Sequence, residues 1–82
     1  MDFIKIKAIA NEYSDLFIKD EEGFMKRYHI DVPKYSIPEL VAIVDLTNIY
    51  HACKTGVVNK DEVVKVQKDI REIYEGELAK VI

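Results

Sequence analysis

At 82 residues the chain has room for one domain, 1–82, and a chain this short buries only about 60% of the surface its unfolded form exposes. An apolar fraction of 49% excludes a disordered chain and is sufficient for a globular fold. Acids and bases nearly balance at a net charge of −3, which argues against a phosphate backbone as the main partner.

Residues 2–19 read as a first helix. Phe3, Ile6, Ile9, Ala10, Tyr13, Leu16 and Phe17 recur at spacings of three and four and make a broad apolar stripe. Asp2 is placed to cap it, and Ile4 and Ile18 lie off the stripe. The acid run Asp20-Glu21-Glu22 before Gly23 suits the start of a second, short helix, where the backbone dipole favours negative charge. A first helix running straight through Gly23 is the alternative. Phe24, Met25 and Tyr28 form the inward side of the short helix. Pro33 pushes Val32 out of helical geometry, so this helix is expected to end by about Ile30, with Ile30 and Val32 tucked under the bundle.

The stretch from Ser36 to Gly56 organises the rest. Its charged residues are Glu39, Asp45 and Lys54, so it is expected to be the central, most buried helix. Ser36 and Glu39 have the spacing of a capping box, and Pro38 sits in the first turn, where a missing N–H costs nothing. Gly56 is suited to the left-handed conformation that stops a helix. From Leu40 to Val44 the helix is apolar all round, which predicts burial on more than one side. Beyond that, Ala42, Leu46, Ile49, Tyr50 and Cys53 share one face, and Leu40, Val44, Thr47 and His51 share roughly the opposite one. The second face either packs under the N-terminal helices or serves a partner or a second copy of the chain. With Tyr35, those four residues are the candidate partner-binding set.

Residues 60–82 read as the last helix. Asn59 caps it and Glu62 is its capping-box partner. Val63, Val66, Ile70, Ile73, Tyr74, Leu78 and Val81 lie on one side. Gly76 costs roughly 1 kcal/mol inside a helix, and Glu77 falls on the apolar side, so a kink, fraying or a stop is expected near Gly76. The expected fold is all-α, a small helical bundle of three long helices and one short helix.

No motif announces a reaction. His51 and Cys53 are two apart on a helix and point to different faces, which prevents a direct nucleophile–base pair. A lone Cys53 cannot form an internal disulfide, and no Cys/His spacing matches a zinc site. Gly56–Val63 resembles the second half of an EF-hand loop, with Gly56 as turn glycine and Glu62 as final acid. The ligand positions of the first half hold His51, Cys53 and Thr55, so no calcium is expected. No metal, no cofactor and no small-molecule substrate is expected, and no enzymatic activity. The N-terminus breaks its apolar residues with charges every few positions, which argues against a signal peptide and for a cytoplasmic protein.

The preferred expectation is a protein-interaction domain, a small acidic regulator, adaptor or inhibitor of another protein, including the kind encoded by phages and mobile elements. The alternative is a nucleic-acid-binding regulator with a degenerate helix-turn-helix at 46–70. There Asp61 and Glu62 fall at the helix start that would approach DNA, where they repel phosphate.

Overall fold

A computed structural model describes residues 1–81. It is an all-α fold of four helices, three long and one shorter. Helix α1 spans Phe3–Lys19, α2 Glu21–Asp31, α3 Ile37–Lys54 and α4 Lys60–Val81. The chain runs up and down alternately, so α1 and α3 are parallel neighbours. Across the molecule the order is α2, α1, α3, α4. The principal extents are 39 × 32 × 14 Å. A helix with its side chains is about 10–12 Å across, so the third dimension is little more than one helix thick.

Each helix end has a local chemical cause. Asp2 Oδ1 accepts from the Lys5 N–H at 2.9 Å and starts α1. Asp20 both ends α1 and caps α2, its backbone N–H donating to Leu16 O at 2.7 Å and its Oδ1 accepting from Gly23 N at 3.1 Å. Two helices therefore meet at Asp20, and α1 does not continue through Gly23. Both halves of the Ser36–Glu39 capping box are made. At the other end of α3, Gly56 has φ +82°, Val57 N donates to Ala52 O and Gly56 N to Cys53 O. That is the Schellman arrangement, open to glycine at no steric cost. Asn59 Oδ1 accepts from Glu62 N at 2.9 Å.

Three boundary expectations need correction. Helix α2 continues to Asp31, and Val32 itself is right-handed helical, with φ −48° and ψ −46°. Pro33 occupies the first turn of a short 3-10 segment, Val32–Lys34, where its missing N–H leaves nothing unsatisfied. Ile30 is 66% exposed rather than tucked away. Helix α4 runs through Gly76 to Val81. Tyr74 and Leu78 on either side are held against the core, and an Arg71–Glu75 pair spans the turn before Gly76. The Val81 side chain and Ile82, which the sequence pattern assigned to the last helix, lie outside the described part.

The core is the double seam that α3 makes with α1 and α4. Phe3, Ile6, Ala10 and Tyr13 from α1 meet Ala42, Ile43 and Leu46 from α3, and Ile70 and Tyr74 from α4 close the other side. The Tyr74 hydroxyl donates to Met1 O, and the Phe3 and Tyr74 rings lie 6.2 Å apart. At the far end of α3, Lys54 Nζ reaches across to α1 and donates to Asn11 Oδ1, Ser14 Oγ and Asp15 Oδ1 at 2.6–2.8 Å. Helix α2 has no fully buried residue. It is held through Phe24 and Tyr28, which pack on Tyr13, and through its polar last turn.

The stretch Leu40–Val44 is buried on more than one side, as its apolar run predicts, through Ala42 and Ile43, but not all round. Val41 is 50% exposed and Ile37 79%. Helices α1 and α4 flank α3 and α2 lies against a further side of it, which leaves the Ile37–Val41 stripe open. A compact monomer of 9.5 kDa would expose about 5,000 Å². This chain exposes 5633 Å².

Candidate functional site

Three of the exposed large apolar residues, Ile37, Val41 and Ile73, gather in one groove between α3 and α4. Local spacing explains it. On α3, Ile37, Val41 and Asp45 recur every four residues and share one stripe, while Ala42, Ile43 and Leu46 turn toward the seams. On α4, Ile70, Ile73 and Glu77 form the facing stripe. The two helices run antiparallel, so Ile37 and Pro38 at the start of α3 lie beside Glu77 near the end of α4. The cavity has a volume of about 240 Å³ and is also lined by Val41, Ala42, Asp45 and Tyr74. Its floor is made of core residues: Ala42 and Tyr74 are 3% exposed and Ile70 7%. Its walls are open, with Ile37 79%, Ile73 62% and Val41 50% exposed. A shallower continuation passes Asp45, Asn48, Ile49, Val66 and Ile70.

The sequence-derived candidates occupy a different flank of α3. Val44 is half-buried and Thr47 is buried; both line a second cleft, of about 180 Å³, against Phe24, Met25 and Tyr28 of α2. The Thr47 hydroxyl donates to Ile43 O at 2.6 Å, so its polar atom is satisfied within α3. His51 is half-buried, its ring edge-on to Phe17 with centroids 4.8 Å apart. Leu40 is half-buried near the start of the same face. Tyr35 is half-buried and belongs to a polar knot instead. Val44 and Thr47 are thus brought together, while Tyr35 lies in a separate cluster.

That knot fastens α2 and the 3-10 turn to α1. The buried Tyr13 hydroxyl donates to Asp31 Oδ2 at 2.5 Å and lies 3.4 Å from the Tyr35 hydroxyl. Arg27 contacts Glu12 at 2.7 Å and Asp31 at 3.5 Å, and its guanidinium lies over the Tyr13 ring. The Tyr13 hydrogen bond, with Lys34 and Arg27 nearby, holds the Asp31 carboxyl below its usual range. Burial, together with the same hydrogen bond, pushes the Tyr13 phenol far above its ordinary value. These directions belong to a satisfied structural network.

Ile37, Val41 and Ile73 were not singled out from the sequence. Val41 reads as part of the all-apolar stretch Leu40–Val44, Ile37 falls before it, and Ile73 reads as one more inward residue of α4. The one available signal was Asp45 and Glu77, carboxylates breaking otherwise apolar runs at the stripe that proves to be open.

Among the described residues no group of three His, Cys, Asp or Glu side chains is placed to hold a metal ion, and no helix is long and apolar enough to cross a membrane. Cys53 is a free, half-buried thiol. What the groove offers is apolar contact along two helices, edged by carboxylates. No family model matches the chain, and no significant match to it is found among curated proteins or solved structures.

Proposed function

We propose that this chain is a non-catalytic protein-interaction domain, a small acidic regulator, adaptor or inhibitor that binds another protein through the α3–α4 groove. The observation that carries the reading is the open apolar stripe of Ile37, Val41 and Ile73 on a fold one helix thick. Helical domains ordinarily bury an apolar stripe against a second layer. Here no helix of the chain covers that stripe, and the exposed area exceeds that of a compact monomer of the same mass by about 600 Å². One partner in a standard interface contributes about 800 Å². A docked partner therefore supplies the missing second layer.

No observation favours the nucleic-acid reading. A helix-turn-helix sets its helices at about 90–120°. Here α3 and α4 lie side by side from Ile37 and Glu77 to Ile49 and Val66. Asp61 and Glu62 occupy the first turn of α4.

The test compares three forms of the protein as bait in lysate of the cells that produce it. Ile73→Lys places a charge in the groove at an exposed site and should leave the fold intact by circular dichroism. Ile4→Lys does the same on α1, where Ile4 is 74% exposed. A protein retained by the native chain and by Ile4→Lys but lost from Ile73→Lys supports the proposal. Retention of the same proteins by all three forms refutes it.

A further inference from the structure

We infer that the occupant of the α3–α4 groove is an amphipathic α-helix of another protein whose apolar stripe is flanked by lysine or arginine. This rests on the docking reading above and adds the chemistry of the partner. Length and shape come first. From Ile37 to Asn48, α3 advances about 17 Å, roughly three helical turns. That spans the successive anchors of a single helix lying in a groove, spaced at three and four residues. The small Ala42 in the floor permits the close approach of a packed helix.

Charge then separates the possible occupants. The charged side chains that line the groove, Asp45 and Glu77, are both acids. Along α4, Glu62 and Asp69 fall on the same strip as Val66 and Ile73, at spacings of three and four. Lys80 is the basic residue on that strip, and its Nζ lies 3.1 Å from Glu77 Oε1. Among the described residues no ion pair engages Asp45, Glu62 or Asp69. A second copy of the chain would set these carboxylates against their own kind, because a two-fold interface pairs one patch with itself. A nucleic acid would be repelled for the same reason. A helix with basic flanks meets both requirements, since apolar contacts supply affinity and charge complementarity supplies orientation and speed of encounter.

The test uses two synthetic helical peptides of about 18 residues with an identical Leu/Ile stripe, one flanked by lysines and one by glutamates, titrated into the isotopically labelled full chain and followed by NMR. The lysine-flanked peptide should bind at least about tenfold more tightly. Its shifts should centre on Ile37, Val41 and Ile73, and its binding should weaken as salt rises from about 0.05 to 0.5 M. Asp45→Asn combined with Asp69→Asn should narrow the gap between the peptides, and Ile73→Ser should weaken both. Equal binding of the two peptides in the groove overturns the basic-helix inference and leaves the docking reading standing. Shifts confined to another surface, or binding by neither peptide, overturn both.

Discussion

Leu46 lies at the middle of α3, fully buried where the seams to α1 and α4 converge. Truncating it to alanine removes a leucine's contacts from a site that has no solvent side to relax toward. Such changes cost about 3–5 kcal/mol, the lost transfer energy plus the cavity left behind. At about 0.05–0.15 kcal/mol per residue, the whole domain is worth roughly 4–12 kcal/mol. A slab with one double seam belongs at the lower end of that range. Leu46→Ala should therefore remove half or more of the stability and lower the melting temperature by at least about 12 °C. The proper control is Val41→Ala, five residues away on the same helix but 50% exposed. It deletes two methyl groups that are only half withdrawn from water, worth less than about 1 kcal/mol. Urea unfolding followed by circular dichroism measures both. A loss below about 1 kcal/mol at Leu46 would refute the position assigned to α3. A Val41 cost equal to that of Leu46 would refute the open groove, because it would mean that Val41 is covered in solution.

Four further outcomes follow from local geometry. Gly76→Ala should raise stability by about 0.5–1 kcal/mol, because Gly76 is helical with open space where a methyl would stand; thermal melts decide the sign. Gly56→Ala should do the reverse, since alanine resists a φ of +82°. Acid should destabilise the protein through its depressed carboxyls, with Asp31 in the knot and Glu39 in the capping box both contributing. A carboxyl held below its usual range in the folded state contributes stability that is complete above its unfolded pKa and is lost as pH falls through the folded value. Stability should be flat near neutrality and fall below about pH 4, and Asp31→Asn should lower the plateau and flatten the fall, read from urea midpoints across pH. Tyr13 predicts the alkaline limb. Its phenol is held neutral mainly by burial, so stability should decline above about pH 10, and Tyr13→Phe should lessen that decline, the remainder coming from the Tyr50 and Tyr74 phenols, which burial also pushes up.

What was legible in the sequence was what short-range chemistry decides. The Ser36–Glu39 box, the Gly56 stop and the Asp2 and Asn59 caps depend on residues within a turn of one another, and each is made as the spacing predicts. The apolar stripe of α1 was equally plain, and so was the exposure of Ile4 and Ile18. Val32 misled because the preference before a proline is statistical, and a 3-10 turn fastened by the Asp31 knot outweighs it. Gly76 misled because packing of Tyr74 and Leu78 outweighs about 1 kcal/mol of propensity. The groove was hidden for a different reason. Periodicity shows that Ile37, Val41 and Ile73 are apolar, but whether another layer covers them depends on how many helices the chain has left to stack. With α1 and α4 flanking α3 and α2 placed against its Val44–Thr47 side, none remains for that face.

The central claim is that this face is kept for a partner of different chemistry, and the molar mass in solution tests it most directly. Light scattering on a sizing column should give a monomer of 9.5 kDa that Ile73→Lys leaves unchanged. A dimer that Ile73→Lys dissociates would contradict the account, because it would show the groove already filled by a second copy of the chain.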